Sequence, residues 1–224
     1  MSKQEHIVTL IGGLSADDPD TQENAVDELV KIGTSAVDLL IEAVNDGDEK
    51  VCANAIEALG QIKDERAIGP LIIALNDSDS GVIIAAMTAL RRIGDPRAVQ
   101  PLIQFLSHDD LYLHFNATLA LGMIDHEETI VALLELLGDV DSRIKHGCIV
   151  ALGRLQDDRA IKPILVLLED EEPKIRYSAA FALGDLASYD NQVVIDKLKF
   201  ARDDDPDKNV KSAARESLEK LGAL

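Results

Sequence analysis

Apolar residues recur along this chain at steps of three and four, not at every second position, so the pattern predicts helices and no strands. The clearest recurrence is a helix ending: EALGQI, TALRRI, LALGMI, VALGRL and FALGDL. Their leucines, Leu59, Leu90, Leu121, Leu152 and Leu183, are each 31 residues apart; Leu29 precedes them by 30 and Leu218 follows by 35. The spacing predicts seven two-helix units in one domain over 1–224: an N-terminal cap at 1–32, then 33–62, 63–93, 94–124, 125–155 and 156–186, and a C-terminal cap at 187–224. Irregular spacing at the two ends suits capping repeats, which differ from the units they close.

Each unit reads as helix, acidic loop, helix. First helices appear in ERAIGPLIIAL, PRAVQPLIQFL and DRAIKPILVLL, with Pro70, Pro101 and Pro163 in the first turn, where a missing N–H breaks no helical bond. Asp64, Asp95 and Asp157 precede them as helix starters. In second helices, the position eight before the repeat leucine counts as zero: Val51, Val82, Leu113, Ile144, Ile175 and Val210. Four residues on, Ala55, Ala86, Ala117, Cys148, Ala179 and Ala214 form a column of small side chains that lets helices approach closely. Three before zero, Asp48, Asp79, Asp110, Asp141, Glu172 and Asp207 stand where a carboxylate meets the positive end of a helix. Capping explains these aspartates better than calcium, which needs more oxygen ligands and a distal bidentate Glu.

At about 100° per residue, positions zero, four, seven, eight and eleven share the core stripe, and positions two and six face away from it. Those outward columns read Ile84 and Thr88, Phe115 and Leu119, His146 and Val150, Tyr177 and Phe181 in the middle units, and are small or acidic in the flanking ones. Tyr112 and Met123 adjoin them. The chain has only 7 Phe and Tyr residues, and Tyr112, Phe115, Tyr177 and Phe181 all fall on this surface. Exposed apolar surface of this kind marks an interface or groove. The expected binding residues are therefore Ile84, Tyr112, Phe115, Asn116, Leu119, Met123, His146, Val150, Arg154, Arg176, Tyr177 and Phe181, with Asn54, Asn116, Arg154 and Arg176 giving polar orientation.

Units such as IGDPRAVQPLIQFLSHDDLYLHFNATLALG resemble the short HEAT-like repeat named after the phycobilisome lyases. The resemblance covers nearly the whole chain through Asp-x-Arg-Ala, Pro-Leu, Asp, Val-Arg, Ala-Ala and Ala-Leu-Gly. It implies an all-α superhelical solenoid whose second helices line a concave face. The Arg after position zero survives only as Arg176, with Lys145 and Lys211 as substitutes and Cys52, Ile83 and His114 elsewhere. In the similar deoxyhypusine hydroxylases, iron ligands would be His-Glu pairs opening second helices; the matching places here read His114-Phe115 and His146-Gly147, so that activity is not expected.

Net charge is −19, which argues against nucleic acid, whose binding rests on clustered Lys and Arg. No apolar run is long enough for a membrane, and the N-terminus lacks the features of a secretion signal. Cys52 and Cys148 lie far apart, consistent with the reducing cytoplasm. Neither zinc spacing, a phosphate loop nor a nucleophile elbow is present, so no catalytic residue, metal or cofactor is expected. The expected function is a non-enzymatic scaffold that binds another protein or peptide, with basic partners favoured by the acidic rim. A homodimer through the same face, or a tetrapyrrole held as in a bilin lyase or chaperone, is the alternative.

Overall fold

In a computed structural model describing residues 2–45 and 47–224, carboxylates set where the helices begin. Two groups of residues pack separately: 2–45, 47–105 and 110–120 in the first, 106–109 and 121–224 in the second. The first holds α1 (Lys3–Gly13), α2 (Pro19–Ile32), α3 (Val37–Val44), α4 (Glu49–Ile62), α5 (Ile68–Ala74), α6 (Ser80–Ile93), α7 (Val99–Ile103) and, but for its last residue, α8 (Leu111–Leu121). The second holds α9 (Glu127–Leu136), α10 (Ser142–Leu155), α11 (Ile161–Val166), α12 (Pro173–Leu186), α13 (Gln192–Asp204) and α14 (Lys208–Lys220). Among the described residues there is no strand. The fold is all-α, built of successive helix pairs.

First helices open with a tight turn. Asp64, Asp95 and Asp157 accept the backbone N–H of Arg66, Arg97 and Arg159, and each arginine folds its guanidinium back onto the same carboxylate. A single 3₁₀ turn results (Glu65–Ala67, Pro96–Ala98, Asp158–Ala160) before α5, α7 and α11. Two of these arginines also reach the preceding first helix: Arg66 bonds Asp38 at 2.7 Å and Arg159 bonds Glu127 at 2.6 Å. These pairs are exposed and screened by solvent, so each adds little to stability. They link neighbouring first helices.

Second helices start on the acidic column. Asp48, Asp79, Asp110, Asp141 and Asp207 each accept a backbone N–H of the first turn. Glu172 makes no such bond, and Pro173 follows it with no N–H to satisfy. The zero column is buried except for half-buried Ile144, and the repeat leucines from Leu29 to Leu218 are fully buried. Each leucine contributes roughly 1.5–3 kcal/mol of transfer free energy.

Successive second helices come close together at the glycine after the repeat leucine. A Cβ on Gly60 would lie 2.7 Å from the Cα and Cβ of Ala89 in the next second helix. One on Gly184 would meet Ser217 Oγ in α14 below van der Waals separation, and that hydroxyl donates to Ala180 O at 2.9 Å. The small column at position four is buried as expected.

Arg176, expected at the binding surface, is buried in the joint between pairs, only 9% exposed. Its Nε and Nη2 bond the two carboxylate oxygens of Asp205 at 2.7 and 3.0 Å, while Nη1 donates to the carbonyls of Asp170 and Glu171. Lys145 does the same work one pair earlier, 2.8 Å from Asp170. In both cases the base one residue past position zero reaches an aspartate five residues before the next zero. That aspartate also accepts an N–H two residues on: Glu172 for Asp170, Asp207 for Asp205. Burial raises the carboxyl of Asp205, but Arg176 and the N–H of Asp207 outweigh it and hold its pKa below the ordinary value.

Arg176→Met strands a buried carboxylate and is expected to cost about 3–5 kcal/mol in urea unfolding. Because the Asp205 pKa is lower in the folded chain, its contribution is complete above about pH 4 and is lost as pH falls through the folded value. Asp205→Asn is therefore expected to flatten the acid limb of a stability-against-pH curve; an unchanged slope would rule this pair out as its source.

Candidate binding cleft

In the second unit, the outward faces of α10 and α12 enclose a cleft of about 440 Å³. His146, Val150, Gly153 and Arg154 come from α10, and Tyr177, Ser178, Phe181, Ala182 and Asp185 from α12. The floor exists because small residues face one another: a Cβ on Gly153 would sit 3.2 Å from that of Ala182. The aromatic walls stay open, Tyr177 at 41% and Phe181 at 38% exposure.

Polar groups ring these walls. On α14, Lys220 places Nζ 4.1 Å over the Phe181 ring and 2.7 Å from Asp185, so its charge is engaged by a ring face and a carboxylate. His146 Nδ1 lies 2.7 Å from Ser178 Oγ, and that hydroxyl donates to Lys174 O at 2.9 Å. With the Ser178 hydrogen on Lys174 O, the His146–Ser178 bond is one in which Nδ1 donates. Arg154 makes no hydrogen bond or ion pair among the described residues. Its stem lies on the backbone after α8: a Cβ on Gly122 would be 2.8 Å from Arg154 Cδ.

The cleft gathers His146, Val150, Arg154, Tyr177 and Phe181 from the sequence-derived set. Met123 is exposed in the same unit but does not line it. In the first unit, Tyr112 and Phe115 are 75% and 56% exposed on α8, with Leu119 half-buried. Asn116 donates to Tyr112 O on its own helix. Ile84, half-buried, lines a shallower hollow with Asn54, Thr88 and Arg92. Asn54 Nδ2 donates to Leu14 O at 2.9 Å, so its amide ties α4 to the end of α1.

Sequence reasoning missed Ser178, Asp185 and Lys220. The last two belong to a column it did not read, two residues after the repeat leucine: Arg92, Met123, Arg154, Asp185 and Lys220. Positions two, six and ten follow one another around the helix by about 40°, so this third column completes the outward stripe. It also places opposite charges on adjacent helices, as Asp185 and Lys220 show. A second omission is α13, where Val193 and Phe200 are exposed. Neither cysteine is placed for chemistry. Cys52 is buried, and burial, with Asp139 assisting, pushes the Cys148 thiol up to about 12.

A family model described as HEAT repeats matches residues 7–83, 68–152 and 131–219. Among solved structures, the chain is similar to the archaeal HEAT-like repeats protein from Thermococcus onnurineus NA1, with 16% identity, 100% of this chain and 98% of that chain covered, and a TM-score of 0.62. It is similar to yeast importin-beta (Kap95p), with 13% identity, 97% of this chain and 35% of that chain covered, and a TM-score of 0.67. It is also similar to the complex of CpcE and CpcF of phycocyanin lyase from Nostoc sp. PCC7120, at 21% identity, 97% and 94% coverage and a TM-score of 0.50. At these identities the likeness shows the fold alone. No curated protein sequence matches the chain.

The bond order in the cleft gives a direct spectroscopic expectation. In nitrogen-15 NMR at a pH where the ring is neutral, His146 should carry its hydrogen on Nδ1. A hydrogen on Nε2 would contradict the His146–Ser178–Lys174 chain.

Proposed function

Because the chain belongs to the HEAT-repeat family, we propose that it is a non-catalytic scaffold that seats a segment of another protein on the second helices of its repeats. The cleft between α10 and α12 is the docking centre. The observation that carries this reading is the open pair of aromatic walls, Tyr177 and Phe181, above a floor of small residues. Covering them with a partner's apolar side chains removes surface from water at about 25 cal/mol per Å². Aromatic anchors with a polar surround are the usual composition of a binding centre. In the first unit, Tyr112 and Phe115 offer a further apolar surface of the same kind.

No helix among the described residues is long and apolar enough to cross a membrane. Cys52 and Cys148 are buried thiols, which suits a reducing compartment, and we propose a cytoplasmic location. A surface of net charge −19 draws basic regions of a partner towards it. A tetrapyrrole is the competing occupant, since Arg154 stands beside aromatic walls; a visible absorption band in protein purified from its own host would favour it.

The test is affinity purification with wild type, Tyr177→Glu and the control Ile73→Glu, whose side chain is also exposed but lies on α5 in the other unit. Tyr177→Glu is expected to lose the specific partner while Ile73→Glu keeps it. Both should melt within a few degrees of wild type, because surface changes seldom exceed about 0.5 kcal/mol. A partner that survives Tyr177→Glu, or a variant that unfolds, would remove the cleft from consideration.

A further inference from the structure

We infer that the segment seated in this cleft presents an aspartate or glutamate side chain to Arg154, next to the apolar side chain that fills the aromatic walls. The inference rests on the docking reading above and adds the chemistry of the occupant. The chain carries 41 acidic and 22 basic residues, so carboxylates are in excess over its cations. Arg66, Arg92, Arg97, Arg143, Arg159, Arg176 and Arg202 are in ion pairs, whereas Arg91 and Arg215, which do not line the cleft, are in none among the described residues. Arg154 is in none among the described residues, and it lines the cleft.

Its surroundings narrow what it can take. Asp185, the carboxylate on the cleft wall, is held by Lys220 at 2.7 Å, and that lysine also covers the Phe181 ring. The acid and base of that pair neutralise each other and leave the Arg154 guanidinium as the uncompensated charge of the cleft. A guanidinium offers a planar fork that matches a carboxylate in two parallel hydrogen bonds. The arginine stem is pressed against Gly122, which removes part of the side-chain freedom that binding would otherwise have to freeze. The local preference thus opposes the field of the whole chain. Distant acidic surface repels a strongly anionic partner, and the cleft takes one carboxylate beside one apolar anchor. A basic residue at that place would meet Arg154 as a like charge.

The test is a selection of random twelve-residue segments, displayed inside a carrier protein so that no free terminus is offered, on the full chain. Recovered segments are expected to place Phe, Tyr or Leu within two residues of Asp or Glu. As peptides capped at both ends, they should bind wild type about fivefold better than their Glu→Gln or Asp→Asn counterparts. Against Arg154→Gln, which should melt with wild type, that difference should vanish, as a double-mutant cycle requires of a direct pair. A preference that persists in Arg154→Gln, or recovered segments carrying Lys or Arg at that place, would overturn the inference while leaving the cleft intact. Binding unmoved by Tyr177→Glu and Phe181→Glu, or no segments recovered at all, would overturn the docking reading and this inference with it.

Discussion

The contact on which the rest depends is the one between a glycine and a small side chain on successive second helices. Gly60 lies against Ala89, Gly153 against Ala182 and Gly184 against Ser217, each too close for another side chain to enter without displacement. Overpacking of such a seam costs typically 1–3 kcal/mol, about the value of one buried leucine. The seam also fixes rotation. With the glycine turned to its neighbour and the repeat leucine turned to the core, positions two, six and ten are left on the outward surface. The cleft of the second unit follows from that rotation: Gly153 and Ala182 make its floor because they make the contact.

Helix-terminal aspartates and inter-pair ion pairs hold the same register at the other end of the helices. The buried Arg176–Asp205 pair is the strongest of these, since both partners are desolvated and Arg176 also satisfies two carbonyls. The exposed Asp-x-Arg forks add little free energy. They restrict how one pair can slide on the next, which is what a repeated surface needs if its side chains are to meet a partner in a defined order.

Much of this was legible in the chain. The 31-residue leucine spacing and the aspartates three before position zero are local signals, and a turn of 100° per residue is enough to turn Phe115 and Tyr177 outward. What was not legible depends on partners distant in sequence. Arg176 reads as a surface base until Asp205, 29 residues on, takes its guanidinium. Asn54 reads as a groove amide until Leu14, 40 residues earlier, offers a carbonyl. Asp185 and Lys220 were readable in principle, because each follows a repeat leucine by two, but their significance lies in the ring and the charge that they share.

The central claim is rotational: the glycine seam turns Tyr177 and Phe181 out of the helix layer. Hydroxyl-radical footprinting read by mass spectrometry measures this directly on the free protein. The account predicts that both side chains, corrected for intrinsic reactivity, are oxidised, more slowly than the more exposed Tyr189 and Phe200 but well above Leu152 and Leu183, which stay protected. Protection of Tyr177 and Phe181 to the level of Leu183 would contradict it.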